Sequence, residues 1–403
     1  MTKLHFNYKD IFRALRLGFS AKKVWMMSVG LMVGFLGYAL LTYLAYLVAG
    51  SEFLTVWESF RLLPFPEPSL YAFPWYSWLL FGAGVGFFLC STLLAGCAVS
   101  KVTYEQLRGD EFYEARDAFR FAFKYLPSTF ASPLLLVGFA AVVVGIGLLL
   151  SLLAAIPYFG EIVIGVFALP AFAASLFIVY LLVVFFLSLL IGPSIVGATK
   201  NDTFDTIFEV FSCVNEQPAR LVWYLAIVGL LSELGSFLLG LASSAAGRIG
   251  TLVLQAFAGE KMADILANAS FYFKVNLPAW WPGFLHQLFD TVCGTIYGLP
   301  QLYSPTDYVP LGWGIDVAAV LVGVAFHVVA IVVVAFGCSI WYSGNTMVYA
   351  VLAKKKDDKN ILEIPNDEAE LIEPVEPLPD ETAATGQPVP PAAAGAPGAG
   401  EAE

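Results

Sequence analysis

Charged residues are scarce in this sequence of 403 residues. They make up 13% of it, about half the share found in soluble domains, whereas apolar residues make up 59%. This composition excludes a soluble enzyme of ordinary make-up and predicts an integral membrane protein. The formal net charge of −11 also excludes a nucleic-acid-binding protein, because such proteins carry a basic surface.

Histidine and cysteine are also rare, with three and five residues respectively. There is no CxxC motif and no cluster of cysteine with histidine, so neither a disulfide framework nor a metal site is indicated. Nucleotide-binding, hydrolase and metalloprotease motifs do not occur in a usable context. We therefore predict no enzymatic activity, no catalytic residue and no cofactor.

The negative charge is confined to the C-terminal end. Residues 1–356 contain equal numbers of basic and acidic side chains, whereas residues 357–403 contain twelve acids and one lysine. This end is also rich in proline, alanine and glycine and nearly free of aromatics. It predicts a disordered cytoplasmic tail from about residue 361 onward. A solubilising role is favoured, and docking of a protein partner through residues 371–379 is the alternative.

Six apolar stretches are long enough to cross a hydrocarbon core of about 30 Å as helices. The sequence therefore predicts an all-α fold, a polytopic membrane helix bundle with six transmembrane helices within residues 1–356. The predicted spans cover about 24–49, 75–99, 130–156, 165–192, 219–241 and 315–340.

Basic residues are distributed unevenly between the two sides of this predicted bundle. Seventeen of the 21 lysine and arginine residues fall on the side that carries both termini. Because cytoplasmic flanks are enriched in lysine and arginine, both termini are predicted to be cytoplasmic, in a multi-pass protein of the bacterial inner (plasma) membrane.

A short amphipathic stretch precedes each odd-numbered span. In residues 7–25, 111–130 and 202–223, apolar side chains recur at intervals of three and four, which is typical of an amphipathic helix. We predict three repeated units, each an interfacial helix followed by a helical hairpin. A packing role for these helices is favoured, with lipid sensing or partner docking as the alternative.

Two of these regions resemble a known family. They are VTYEQLRGDEFYEARDAFRFAFK (102–124) and IVGATKNDTFDTIFEVFSCVNEQPARLVWY (195–224). They resemble the membrane domain attached to some glycerophosphodiester phosphodiesterases and the related uncharacterised six-helix bacterial membrane proteins. The resemblance covers about residues 1–356. It implies no catalytic residue, because the phosphodiesterase chemistry of that family belongs to a separate soluble domain.

The connection between the fifth and sixth spans, residues 242–314, is long and apolar. It contains one helical pattern at 251–269, a second candidate helix at 282–299, and a dense aromatic run between them. These features predict a helical cap on the extracytoplasmic side. Shielding of the bundle is favoured, and interfacial lipid contact through Trp280 and Trp281 is the alternative.

Two ionisable residues stand well inside predicted spans, Glu233 and His327. Glu233 lies about twelve residues past Leu221 and His327 twelve residues past Ile315, or about 18 Å in each case, so both are predicted near the bilayer midplane. If the fifth and sixth spans are neighbours, this pair could relay a proton or bind a cation. A purely structural role for both side chains is favoured.

Glycines within the spans, among them the GxxxG of Gly30 and Gly34, favour close helix packing within the protomer. Packing between protomers in a homo-oligomer is the alternative. We expect an accessory or scaffold protein that organises membrane lipid or a membrane complex, with membrane lipids as partners. A protein partner bound to the tail belongs to the docking alternative. A transporter or lipid-handling permease that uses Glu233 and His327 is the alternative.

Overall fold

The computed structural model of the protein describes residues 5–68, 70–273, 309–310, 312–358 and 360–363. These residues form twelve α-helices and one short 3-10 helix, Ile361–Glu363. In chain order the helices are α1 (Tyr8–Ile11), α2 (Ala14–Gly18), α3 (Ala21–Val48), α4 (Phe53–Phe60), α5 (Trp75–Arg108), α6 (Ala115–Lys124), α7 (Leu126–Ala154), α8 (Phe159–Thr199), α9 (Thr203–Glu216), α10 (Pro218–Ala258), α11 (Glu260–Tyr272) and α12 (Trp313–Asp357).

Six of these helices, α3, α5, α7, α8, α10 and α12, are long and apolar enough to cross a membrane. They coincide with the six predicted spans, which confirms the all-α fold class and the six candidate membrane helices. Several are much longer than predicted: α8 and α10 have 41 residues and α12 has 45. At 1.5 Å per residue they measure about 60 Å or more, roughly twice the hydrocarbon thickness.

Several helices extend beyond the predicted spans, which stop where polar residues begin. The helix α5 continues past the predicted end at residue 99 to Arg108, and α12 continues past residue 340 to Asp357. Polar side chains in these extensions, such as Thr103 and Asn345, are buried against neighbouring helices. Neighbouring helices therefore surround these segments in place of lipid. A hydropathy profile does not detect this environment, because it considers each segment alone.

Spans that follow one another in the chain run in opposite directions, and α3 packs closely against α5. Gly30 and Gly34 of α3 lie against α5, where added Cβ atoms would meet Ala95 and Ser91. The GxxxG motif thus packs within the protomer, as favoured from the sequence. We call the end of the bundle where α3, α7 and α10 begin and where α5, α8 and α12 end the N-terminal face.

The core lies at the N-terminal face. Buried runs occupy the last turns of α5, from Leu93 to Leu107, and the end of α8, from Ile191 to Ala198. The second half of α12, from Val333 to Ala353, joins them. The outer part of the α7–α8 hairpin is different, since Gly160 is its sole buried residue between Leu136 and Leu181.

Short helices form where the amphipathic stretches predict them. The first stretch is divided into α1 and α2, while α6 and α9 precede α7 and α10. Their small or branched residues, such as Ala118 and Val210, are buried, and several of their aromatic residues point outward. The threefold repeat of these units stays a prediction.

At the opposite end, the segment between α3 and α5 contains α4, a helix that the hydropathy pattern did not predict. Three tyrosines of α3 hold this segment by donating hydrogen bonds to its carbonyl oxygens. Tyr38 bonds Pro64 at 2.6 Å, Tyr46 bonds Phe65 at 2.5 Å, and Tyr43 bonds Arg61.

The predicted cap begins differently from the sequence pattern. The single helix expected at 251–269 is two helices, because the chain turns at Gly259, which has a φ of +58°. The buried Asn268 of α11 donates to the Val309 carbonyl at 3.0 Å and accepts from its N–H at 2.9 Å. The candidate helix at 282–299, with Trp280 and Trp281, lies outside the described residues.

The last described residues are packed rather than free. Ile361 and Leu362 are buried, and the Tyr104 hydroxyl donates to the Ile361 carbonyl at 2.8 Å. Packing therefore extends beyond residue 356, where we placed the end of the membrane domain. Residues 364–403, which hold most of the predicted disordered tail, lie outside the described residues.

Candidate functional site

Glu233 of α10 lies on the outside of the helix bundle. Its side chain is exposed in the structure and lies within electrostatic range of the Cys338 thiol of α12. The adjacent Ser232 is buried and donates a hydrogen bond to the Gly337 carbonyl at 2.6 Å. These contacts fix the level of Glu233 along α12.

His327 lies at another level of α12. Its ring Nδ1 is 2.8 Å from the Gly323 carbonyl of the same helix, and its ring packs 5.2 Å from that of Phe273. The adjacent Phe326 lies beside Gly247 of α10. His327 is therefore level with the far part of α10 and not with Glu233.

The structure does not bring Glu233 and His327 together. Ser232 is opposite Gly337, which is ten residues, or about 15 Å of helix rise, from His327. The depth estimate from sequence assumed that both spans start at opposite membrane edges. It missed the pairing of α10 with the long α12, whose register is set by the Ser232–Gly337 contact.

A buried polar cluster lies where α3, α5, α8 and α12 meet. At its centre is Lys23, whose side chain has no exposed surface. The Lys23 ammonium donates to the Leu17 carbonyl at 2.9 Å and to the Ser343 hydroxyl at 3.3 Å. Ser343 in turn lies 3.1 Å from the Thr103 hydroxyl. Among the described residues, no carboxylate pairs with Lys23.

Two further contacts tie this cluster to α8 and to the N-terminal segment. The hydroxyls of Ser100 and Ser194 are 3.1 Å apart, and Ser339 donates to the Gly18 carbonyl at 2.9 Å. All four of these positions are buried. The cluster thus connects the helices through hydrogen bonds.

Ion pairs at the N-terminal face are more deeply buried than the sequence indicated. Lys101 and Glu105 of α5 form a pair of 2.6 Å in which both side chains are almost fully buried. The Lys101 ammonium also lies over the Phe121 ring of α6, at 4.8 Å from its centroid. On the other side of this face, Lys356 pairs with Glu209 at 3.1 Å.

A basic pocket of about 660 Å³ opens at the N-terminal face beside α2. Arg13, Arg16 and His5 supply its basic groups, and Glu111 supplies one acid. Arg13 lies 3.6 Å from the Asp10 carboxylate, whereas Arg16 is exposed and has no ion pair within the described part of the chain. Among the lining residues two arginines thus accompany one glutamate, and Asp10 offsets part of the charge of Arg13. Its remaining lining residues are Leu17, Phe19, Ser20, Gln106 and Leu107.

An apolar groove of about 500 Å³ begins where this pocket ends. Phe19 and Ser20 line both cavities, so the two adjoin at these residues. Phe19 and Trp25 are largely exposed at the mouth, at 76% and 57%. The groove runs between α3 and α12 and is lined by Ala21, Val24, Trp25, Ser28, Val29, Met32, Leu239, Val328, Ile331, Val332 and Phe336.

No family model, no curated protein and no solved structure matches this chain. The arrangement of the site is therefore interpreted from its own geometry.

Sequence reasoning missed Lys23, the Lys101–Glu105 pair and the groove. Lys23 was counted only as a flanking positive charge, although helical spacing places it on the same side as the buried Met26, Met27 and Gly30. That spacing was the available signal. The groove left no such signal, because its two walls come from residues about three hundred positions apart.

Proposed function

We propose that this integral membrane protein is a non-enzymatic accessory protein that organises membrane lipid. We place it in the bacterial inner membrane with both termini in the cytoplasm. The excess of basic residues at the N-terminal face supports this orientation, because such residues are enriched on the cytoplasmic side. The resemblance to the membrane domain of glycerophosphodiester phosphodiesterases belongs to the same proposal, and six membrane helices are the number that it implies.

The observation that carries the proposal is the exposure of aromatic side chains on the short helices of the N-terminal face. Phe123 of α6 and Phe208 of α9 are more than half exposed, next to basic and acidic residues of the same helices. Helices with this composition lie in the headgroup region with their aromatic side chains toward the acyl chains. Such a surface contacts lipid without transporting it.

The permease alternative receives no support from the geometry of its proposed residues. Glu233 and His327 are at different levels, and His327 bonds within its own helix. A proton relay needs groups within hydrogen-bond reach or joined through water.

The test is extraction of the protein in polymer nanodiscs, followed by comparison of the enclosed lipids and proteins with those of the whole membrane. We expect one lipid class to be enriched, and the enrichment to fall in the variant Phe123→Ser/Phe208→Ser. Phe172→Ser, an equally exposed phenylalanine in the outer half of α8, is the matched control and should retain it. Lipids that match the whole membrane in the wild-type nanodisc would refute the proposal.

The same experiment reports on the scaffold form of the proposal. A protein partner present in fixed ratio, and lost when residues 364–403 are deleted, would mean that the chain organises a complex through its acidic tail. The deletion begins at 364 because Ile361 and Leu362 belong to the packed core.

A further inference from the structure

We infer that the basic pocket and the apolar groove together bind one anionic glycerophospholipid, with its phosphate at Arg13 and Arg16 and an acyl chain along α3 and α12. This inference rests on the proposed function and names the lipid class and the site. The first argument is adjacency. Phe19 and Ser20 border both cavities, so a molecule with a polar and an apolar part can lie with one in each.

The length of the groove matches one leaflet of a bilayer. Along α3 it runs from Ala21 to Met32, eleven residues or about 16 Å of helix rise. Half of a hydrocarbon core of about 30 Å is about 15 Å. An acyl chain that starts at the N-terminal face would therefore end near the bilayer midplane, close to the level where Met32 closes the groove.

The composition of the groove favours an acyl chain over a protein segment. Its walls are aliphatic and aromatic, and the hydroxyl of Ser28 already donates to the Val24 carbonyl of its own helix at 2.8 Å. Ser20, at the end that the groove shares with the pocket, is the other polar side chain of the lining, and the groove beyond it is otherwise apolar. Trp25 lies at the mouth, where tryptophan is enriched at membrane interfaces.

The charge of the pocket selects the headgroup. Arg16 has no competing ion pair within the described residues, and the Asp10 carboxylate beside Arg13 also accepts the His5 N–H at 2.8 Å. Arginine binds phosphate through paired hydrogen bonds. Glu111 on the pocket wall repels a phosphate and attracts the cation of a zwitterionic headgroup. Selection of an anionic lipid therefore depends on the two arginines, whose attraction for a phosphate must exceed the effect of Glu111.

The test uses the full-length protein, stripped of lipid and returned to nanodiscs of phosphatidylglycerol or of phosphatidylcholine. Native mass spectrometry after ejection from the nanodisc counts the lipids retained. We expect one phosphatidylglycerol per chain and no retained phosphatidylcholine. Arg13→Gln/Arg16→Gln should lower the retention about tenfold, since each basic residue near an anionic surface contributes several-fold. Arg220→Gln/Arg248→Gln removes two exposed arginines of α10 that line neither the pocket nor the groove and should leave retention unchanged.

The groove has its own matched pair of variants. Val332→Trp fills the groove and should reduce retention as strongly as the arginine substitutions. Val334→Trp adds the same bulk to an equally exposed valine of α12 outside the groove and should have no effect. Circular dichroism and the midpoint of detergent-induced unfolding establish that each variant is folded before lipids are counted.

Equal retention of the two lipids by the wild type, or equal losses in both arginine variants, would overturn the inference. Loss of a dimer instead of a lipid in Val332→Trp would also overturn it, because a second copy would then occupy the groove. If retained phosphatidylglycerol is insensitive to Arg13→Gln/Arg16→Gln while native nanodiscs still enrich one lipid class, this site fails and the proposed function stands. If native nanodiscs show no enrichment, both fail.

Discussion

The part of the bundle at the N-terminal face and the outer half of the α7–α8 hairpin consist of similarly apolar helices that are packed in very different ways. In the first, glycines allow close helix contacts, and serine and threonine hydroxyls and the Lys356–Glu209 ion pair connect the helices. In the second, Gly160 is the single buried residue between Leu136 and Leu181, and the other glycines of this stretch border open space. Apolar side chains thus face a core in one half and the outside in the other.

This difference shows what packing requires in a membrane. Lipid tails are as apolar as leucine, so burial of an apolar side chain does not by itself draw two helices together. Close approach of the helices and hydrogen bonds between them hold helices together, and the part of the bundle at the N-terminal face has both. We therefore expect matched substitutions to be harmful there and tolerated in the outer hairpin.

The largest difference is expected for carboxylates. Glu105→Gln leaves the buried Lys101 without its partner at 2.6 Å and should lower the free energy of unfolding by about 4 kcal/mol. Glu161→Gln, at an exposed glutamate of α8, should change it little. Unfolding by sodium dodecyl sulfate in mixed micelles measures both. Equal effects of the two substitutions would contradict the comparison.

Glycines should give the next largest difference. A Cβ at Gly197 of α8 would lie 2.8 Å from Ser100 Cβ and 3.0 Å from the Lys101 backbone nitrogen, so the helices must separate. We expect Gly197→Leu to reduce stability by about 3 kcal/mol. Gly165→Leu places the same side chain in open space on the same helix. The folded yield and the unfolding midpoint of the two variants measure this difference. A tolerated Gly197→Leu would argue against tight packing of α8 on α5.

Leucines of α7 offer a third pair. Leu136 is 1% exposed and Leu149 is 66% exposed. Leu136→Ala should cost about 2 kcal/mol through the cavity that it leaves, whereas Leu149→Ala exchanges one lipid contact for another. The same unfolding assay applies. A comparable loss at Leu149 would mean that the outer hairpin is covered by another protein surface in the membrane.

Hydroxyl groups should show the smallest difference. Ser343→Ala removes a bridge between Lys23 and Thr103, and hydrogen bonds between membrane helices contribute about 0.6 kcal/mol on average. Ser175→Ala removes a bond that Ser175 makes within its own helix, to the Ala171 carbonyl. Duplicate unfolding curves resolve a difference of this size, and an effect confined to Ser175 would reverse the comparison.

The features that could be predicted from sequence are those with a local signal. The six helices follow from runs of apolar residues, and α6 and α9 follow from apolar spacing of three and four. The polar ends of α5 and α12 escaped prediction because their environment is made by other helices. The same reason explains why Lys23, a buried cation, was taken for a flanking charge.

The candidate site depended still more on contacts between distant parts of the chain. Glu233 and His327 were correctly singled out as ionisable residues within spans. Their expected proximity, however, assumed a register of α10 against α12 that the Ser232–Gly337 contact does not allow. The groove needs residues near Val24 and residues near Val332 on adjacent helices, and neither segment is unusual alone.

The sequence by itself determined that the chain forms apolar helices, how many there are, and which short segments are amphipathic. These properties are local, because a backbone in lipid must satisfy its own hydrogen bonds within each helix. The tertiary structure decided which polar groups are buried, how far each helix extends, and where a pocket meets a groove. Those properties depend on helix register, which is set by small residues and hydrogen bonds between segments far apart in the chain.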